Sequence, residues 1–492
     1  NFGTTSGCSV SGSRISGTNT TNIDSSEIFA AGIAAGNDAS GTIENCTVEN
    51  STITSSASDA NTQSCAGGIA ADNVEGTIEG CEVTGGRVSA SGSMEVSSVG
   101  GIAGCSDGTL KDCSNSASVT GKNAFNLGTK EEVSLGSGGV VGSNKHLVEG
   151  CSNSGSVTGN GLFTGGVVGY NTTNGTTLNG TISASHNTGT VKGEQYVGGV
   201  VGNNHTVVED CYNTGQVTST GDYAGGVVGR NTSFYEDYSP IPNPPPNVER
   251  KGEISTSYNT GAVSGGSYVG GVAGYNCVTI AQSFNTGNVT GSGNYTGGVV
   301  GCNDFVVNDD YVGSSFGNIV MIYPSDIQNT YNAGVVTGVD YVGGVVGDQQ
   351  GGVVEQQKKG TCAYSHNYGA VSSSGQGTNI GGVFGYLGAD ASANVCYYLN
   401  TSASSFGVSD STTVTNVESK TSDQFASGEV AFLLDEQNTA SQVWGQEIGK
   451  DAYPVFTNDP SKNVLRVTFE NTVDTPATTQ YAYANPNKTV DV

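Results

Sequence analysis

Four histidines and twelve cysteines are the side chains of this 492-residue chain whose chemistry most invites a catalytic or metal-binding reading. His146, His186, His205 and His366 fall in no His-Glu-x-x-His pattern, which would set two imidazoles on one helical face for zinc. None has a recognisable acid or nucleophile beside it. The cysteines form no Cys-x-x-Cys pair and no mixed Cys/His cluster, so a zinc centre is not expected. No phosphate-cradling P-loop or dinucleotide fingerprint stands out, because the many Gly-x-Gly strings lack the alternating helices those sites need. Glycoside hydrolysis requires two carboxylates a few ångströms apart. Here Glu149 and Glu209-Asp210 stand alone in connecting stretches, and the few Lys and Arg are too scattered to supply a lyase base. These residues predict no enzyme and no cofactor.

The elements that must position them are written as a repeat. A Gly-Gly-Val-Val-Gly string recurs with its second glycine at Gly68, Gly101, Gly139, Gly166, Gly199, Gly226, Gly271, Gly298, Gly344 and Gly382, with a degenerate copy at Gly32. The shortest steps, such as 139 to 166 and 199 to 226, are 27 residues. A fixed minimal period of that size means stacked supersecondary units. Each unit reads as three short β-branched segments: Tyr-x-Gly-Gly-Val-Val-Gly-x-Asn, an apolar pair leading into Cys-Tyr-Asn-Thr-Gly, and x-Val-Thr-Gly. Asn-Thr-Gly suggests a tight turn with positive φ at Gly189, Gly215, Gly261, Gly287, Gly334 and Gly369. No helical period interrupts the array. The expected fold is therefore all-β, a parallel β-helix of about 11 coils. At roughly 4.8 Å per coil it would be a rod on the order of 50 Å long, and the general crossover preference favours a right-handed coil.

Register turns the repeat into columns. Val119, Val157, Val191, Val217, Val263, Val289, Val336 and Val371 share one slot. Phe163, Tyr196, Tyr223, Tyr268, Tyr295 and Tyr341 share a second, and Asn144, Asn171, Asn204, Asn231, Asn276 and Asn303 a third. Stacking explains the aromatic column, although a stripe for sugar rings is the sharper alternative. The amides should satisfy one another. His186 and His366 occupy the slot of Tyr212, Tyr258 and Tyr331. Cys46, Cys81, Cys113, Cys151, Cys211 and Cys396 alternate with Ser185, Ser257, Ser283, Thr330 and Ser365, so that slot wants a small side chain and most cysteines should be free. An isolated bridge such as Cys105–Cys113 stays open.

Together, the Gly-Gly-Val-Val-Gly and Tyr-Asn-Thr-Gly elements resemble the GLUG repeat of large bacterial surface and secreted proteins, over most of residues 30–400. The resemblance implies an extracellular segment of an adhesin-like chain, or a spacer outside the protease domain in some immunoglobulin A proteases. The composition agrees with a soluble rod: 17 Lys and Arg oppose 44 Asp and Glu, a net charge of −27, which disfavours nucleic acid and anionic membranes. No apolar run approaches the roughly 20 residues a membrane helix needs. The first residues look like the middle of a repeat, so flanking domains of one longer polypeptide are expected. Residues 1–396 read as the solenoid and 397–460 as a C-terminal cap with one short helix after Thr421-Ser-Asp-Gln424. Residues 461–492 read as the start of a further β module.

Longer steps mark where the period breaks. Those from 226 to 271 and from 298 to 344 exceed 27 by 18 and 19 residues, and the excess falls after the strand-ending Asn. Smaller excesses occur at 166 to 199 and 344 to 382, largely at the same connection. Loops on a rigid scaffold commonly carry recognition. The candidate contact residues are therefore Phe234, Tyr235, Tyr238, Phe305, Tyr311, Phe316 and Tyr323, facing a host or bacterial surface glycan or protein. Glu236-Asp237 and Asp309-Asp310 could hold Ca²⁺, on carboxylate adjacency alone. The sequence reads as a non-catalytic structural and adhesive rod; the alternatives are a polysaccharide-active β-helix enzyme and a protease spacer.

Overall fold

A computed structural model describes residues 1–18, 27–57, 62–92, 97–123, 136–173, 180–236, 248–250, 252–304, 325–354, 357–438, 442–471 and 478–488. One coil shows the plan. Val201–Asn204 lies on a first face, Val207–Glu209 and Tyr212–Asn213 on a second, Val217–Ser219 on a third and Ala224–Gly225 on a fourth. Each strand pairs in parallel with its equivalent in the next coil: Val201 with Val228, Val208 with Ile254, Val217 with Val263 and Ala224 with Val269. The four faces are sheets of 12, 21, 11 and 11 strands, so the chain is a parallel β-helix. The three segments read from sequence thus become five short strands. The first motif bends between faces at its Gly-Gly pair, and the second breaks into two strands at the Cys/Ser slot.

That bend is a steric requirement. A Cβ on Gly198 would overlap the carbonyl oxygen of Val201, and one on Gly199 would overlap that of Gly226 in the next coil. The Asn-Thr-Gly glycines need a different explanation from the expected one. Gly215 and its equivalents have no positive φ; a Cβ there would strike the carbonyl oxygen of the glycine one coil away, as Gly215 would strike Gly189. The left-handed backbone lies elsewhere. Asp210, Thr256, Gln282, Asn329, Tyr364 and Val395 have φ of 46° to 52° at the bend of the second face, which divides two strands in the earlier coils and lies within one strand from Thr279–Asn285 onward. Tyr196, Tyr223, Tyr268, Tyr295 and Tyr341 have φ of 47° to 66° before the hinge. A non-glycine residue pays about 1–2 kcal/mol for that conformation.

What offsets it is hydrogen bonding along the stack. The Cys/Ser slot follows the strained residue, and its hydroxyl or thiol donates to the carbonyl two residues back (Ser257 to Ser255, 2.8 Å; Cys211 to Glu209, 3.1 Å). The same atom accepts from the neighbouring coil's amide, as when Cys211 N donates to Ser257 Oγ at 3.1 Å. The slot wants a small donor–acceptor, which is why Cys, Ser and Thr interchange there. The Asn after it is bonded on both sides. Asn213 Nδ2 donates to Gly215 O (2.7 Å) and Asn259 Oδ1 (2.8 Å), while its Oδ1 accepts from Gly215 N (3.2 Å) and Asn187 Nδ2 (2.8 Å). This ladder runs unbroken from Asn115 to Asn367. A second ladder joins the strand-ending amides from Asn144 through Asn303 to Gln349. Between the faces runs a thin core of valines, including Val197, Val200, Val208 and Val217.

All twelve cysteines are free. The Cys105–Cys113 bridge left open by the sequence is not made: Cys113 donates to Lys111 O within the Cys/Ser slot, called the arc slot below, and Cys105 faces Cys65. At the far end, residues 400–420 close the last coil, with Val414–Lys420 pairing in parallel beside Ser392–Leu399. Two helices follow where one was expected, α1 (Ser422–Ala426) and α2 (Glu429–Gln437), broken at Gly428 with φ 90°. The expected capping box is present, Thr421 Oγ1 accepting from Gln424 N and Gln424 Oε1 from Thr421 N. This segment lies along the second face. Phe425, Val430, Leu434 and Trp444 pack on Tyr331, Val395 and Tyr397. Leu465–Asn471 and Thr478–Ala484 form an antiparallel hairpin tied to α2 by Arg466–Glu436 (3.1 Å) and by Phe432 against Tyr483. No helix among the described residues is long and apolar enough to cross a membrane.

Replacing Asn213 with Ala would orphan buried amides on two coils, a loss of roughly 2–5 kcal/mol. Gly215→Ala should also destabilise, whereas Gly36→Ala, whose Cβ would meet nothing within 4 Å, should be near neutral. Hydrogen exchange at the flanking coils measures this; equal protection in all three variants would contradict the ladder's role.

Candidate functional site

The four chain excesses predicted from the longer steps fall on one corner, between the first and second faces. They lie between Asn171 and Thr181, Asn231 and Glu253, Asn303 and Ile327, and Gln349 and Thr361. Two contain short antiparallel hairpins: Phe234–Glu236 with Val248–Arg250, and Gly352–Val354 with Gln357–Lys359. Phe234 and Tyr235 are backbone members of the first, opposite Arg250 and Glu249. Tyr238, Phe305, Tyr311, Phe316 and Tyr323 lie outside the described residues, as do Asp237 and the Asp309-Asp310 pair. The early coils break differently. Their excess falls between the third and fourth faces, as between Arg87–Gly92 and Ser97–Gly100. Glycine spacing alone hid this, because it measures only the length of a coil.

The fourth and first faces meet at the glycine hinge, and the side chains flanking it face one another in two columns. One is the aromatic column. Tyr196–Tyr223, Tyr223–Tyr268, Tyr268–Tyr295 and Tyr295–Tyr341 have centroids 4.6 to 4.9 Å apart. At that spacing each ring face is covered by the next ring, so the column offers edges and phenol oxygens, and sugar stacking on ring faces is disfavoured. The other column, four residues beyond the second glycine, was not recognised from the sequence because its residue type varies: Tyr170, Asn203, Arg230, Tyr275, Cys302, Asp348 and Tyr386. Only the register makes it visible. The Arg230 guanidinium lies 5.5 Å from the Tyr196 ring centroid. Tyr275 Oη donates to Asp304 (3.1 Å) and Tyr386 Oη to Asp410 (2.6 Å). Burial pushes the Asp348 carboxyl up to about 6, opposed by a hydrogen bond from Gln350 Nε2 (2.8 Å) and reinforced by Asp304. A carboxyl raised by burial with a second carboxylate acting on it is a pattern that acid–base sites also use.

A separate aromatic column runs down the second face, and it holds the two histidines assigned to it. His186, Tyr212, Tyr258, Phe284, Tyr331 and His366 stack at 4.5 to 5.1 Å with interplanar angles of 3° to 7°. The C-terminal segment covers its last members. His366 is fully buried among Tyr331, Phe425, Trp444 and Tyr453, with Nε2 3.0 Å from Pro454 O. The expectation from sequence of no Gly-x-Ser-x-Gly nucleophile motif is corrected: Gly104–Gly108 is such a string, as is 313–317 outside the described residues, but Gly104–Gly108 is no nucleophile elbow. Ser106 sits in a strand, accepting from Asn73 Nδ2 (3.1 Å) and donating to Gly108 O (3.0 Å). No cluster of three His, Cys, Asp or Glu suited to a metal exists among the described residues.

A family model, the GLUG motif, matches residues 193–218. That stretch is one full turn, from the end of one third-face strand to the next, and the same columns recur before and after it. The chain carries a GLUG motif. Among solved structures it is similar to a putative immunoglobulin A1 protease from Bacteroides ovatus, with 16% identity and a TM-score of 0.32, over 75% of this chain and 86% of that one. No curated protein matches it.

Burial under the C-terminal segment holds the His366 imidazole down to about 3, so the fold favours its neutral form. Its contribution is constant above the ordinary value of 6.5 and is lost as pH falls from 6.5 toward 3, at about 1.4 kcal/mol per unit. Asp435, pushed up to about 6 by burial, works in the opposite sense in the same range. The comparison that isolates the histidine is His366→Phe, the residue type at Phe284. That variant should gain roughly 2 kcal/mol relative to wild type between pH 7 and pH 5, read from the fluorescence of Trp444, the sole tryptophan. A pH-independent difference would contradict this.

Proposed function

We propose that this GLUG-repeat β-helix is a non-catalytic structural and adhesive segment of a larger extracellular bacterial protein, a stiff acidic rod that presents ligand-contact loops from one corner. The observation that supports this is where the side chains are spent. From Asn115 to Asn367 successive second-face turn amides are bonded one to the next, and the tyrosines are stacked on one another. The chain excess of the later coils is gathered between the first and second faces. Such a coil resists bending and leaves recognition to its insertions. Phe234, Tyr235, Tyr238, Phe305, Tyr311, Phe316 and Tyr323 would contact a surface glycan or protein, and the net charge of −27 keeps the rod off nucleic acid and anionic membrane.

A polysaccharide-active reading has one observation in its favour, Asp348 with Asp304 acting on it beside the tyrosine column. A GLUG spacer for a protease domain elsewhere in the polypeptide predicts the same rod with no ligand of its own.

Replacing residues 232–252 and 304–326 by the short connection His205-Thr206 of a neighbouring coil should leave circular dichroism and melting unchanged and abolish binding on glycan and host-protein arrays. Binding retained by the doubly shortened chain would overturn the assignment of the loops. Turnover on a polysaccharide panel that is lost in Asp348→Asn would make the chain an enzyme instead.

A further inference from the structure

Seven of the twelve cysteines, Cys8, Cys46, Cys81, Cys113, Cys151, Cys211 and Cys396, sit in the arc slot of the second face, where a small donor–acceptor is required. Cys65 and Cys105 do not. Cys65 stands three residues before Gly68, in the column that holds Tyr196 and Tyr223 in later coils. Cys105 stands four residues after Gly101, in the facing column of Arg230 and Tyr275. They belong to successive coils and meet diagonally across the glycine hinge. In the later coils that same diagonal is Tyr196 with Arg230 at 5.5 Å and Tyr223 with Tyr275 at 6.1 Å.

We propose that Cys65 and Cys105 are an inter-coil disulfide site, closed by a small-molecule disulfide. Their Sγ atoms are 3.2 Å apart, closer than the buried Cys362–Cys396 pair at 4.0 Å. Cys65 is fully buried, whereas Cys105 is partly exposed and is the point of entry. No third His, Cys, Asp or Glu completes a metal site there among the described residues. The early coils have reason to use a covalent tie. Beyond Phe29, their aromatic column holds Cys65, Ser98 and Gly136, and their facing column Gly36, Asp72, Cys105 and Ser143, so the ring-on-ring stacking that braces the hinge from Phe163 onward is missing.

The exchange balances as follows. The Cys105 thiolate attacks one sulfur of RSSR, forming Cys105–S–SR and expelling RS⁻. The Cys65 thiolate then attacks the cysteine sulfur of that mixed disulfide and expels the second RS⁻. Two protein thiols are oxidised, one RSSR is reduced, and the two cysteine protons end on two RSH. The hydrogen bond with Cys65 raises the Cys105 thiol, and burial and the Asp72 carboxylate add to it, so closure should be slow at neutral pH and faster as pH rises.

The reduced full chain, incubated with oxidised glutathione at mildly alkaline pH and alkylated after denaturation, should lose two of its twelve thiols. Trypsin isolates Cys105 as the sole cysteine of peptide 88–111, which should appear cross-linked to peptide 15–87. Cys65→Ser and Cys105→Ser should each prevent the link, while Cys113→Ser should leave it intact. Ser98 shows that the column tolerates serine, and circular dichroism confirms folding of each variant. The oxidised form should also show slower amide exchange in coils 63–106, reversed by reductant. Twelve retained thiols, a stable glutathione adduct on Cys105, or a link from peptide 88–111 to the Cys113 peptide 112–122 would overturn the proposal.

Discussion

The Asn ladder of the second face is the constraint on which the rest of the coil depends. An asparagine amide has two donors and an acceptor oxygen that can take two bonds, and here all are used: two along the stack and two to the backbone of its own turn. The geometry closes only if successive coils are in register at that residue. Insertions are therefore tolerated at corners and never inside a face, which is why steps as different as 27 and 46 residues produce the same cross-section. The positive φ values before the arc and before the hinge are costs repeated in every coil, and ladders repeated in every coil offset them. A strained backbone that would be a curiosity in a globular domain becomes a regular part of a solenoid.

From the same register follows the character of the surface. Parallel stacking puts like residues above like, so tyrosines cover each other's faces and carboxylates must be kept apart. Asp348 shows the consequence: a carboxyl pressed into the column between Cys302 and Tyr386 loses water and rises to about 6. The columns flanking the hinge are thus rich in phenol oxygens, with Arg230 over Tyr196 and with Asp304 and Asp410 accepting from Tyr275 and Tyr386.

Much of the architecture was legible in the sequence because the fold is periodic, and a period survives the absence of any three-dimensional information. The valine, tyrosine and asparagine slots, the free cysteines and the two column histidines follow from counting. What did not follow is anything that depends on distance between coils. The Asn-Thr-Gly glycines look like turn formers, yet they are there because the neighbouring carbonyl leaves no space for a Cβ. The facing column was invisible because Asn203, Arg230 and Asp348 share no chemistry, only a position. Cys105 was weighed against Cys113, its neighbour in sequence, whereas its neighbour in space belongs to the previous coil. Gly428 split one expected helix into two for a local reason, a left-handed residue between Ala426 and Glu429. The proposed contact loops are the other way round: their place is clear from the longer steps, while Tyr238, Phe305, Tyr311, Phe316 and Tyr323 lie outside the described residues.

The segment that folds back along the second face has a mechanical consequence. A bare solenoid pulled from its last strand would come apart one coil at a time, each coil lost exposing the next. Here tension entering through the hairpin of residues 465–484 meets α2 and then the cluster of Phe425, Trp444, Tyr453 and Phe456, which grips the stack from Phe284 to Tyr397. The force is spread over several coils in shear before any single rung is loaded. The array is latched at that end, and under traction it would fray first among the early coils, where the aromatic brace is missing.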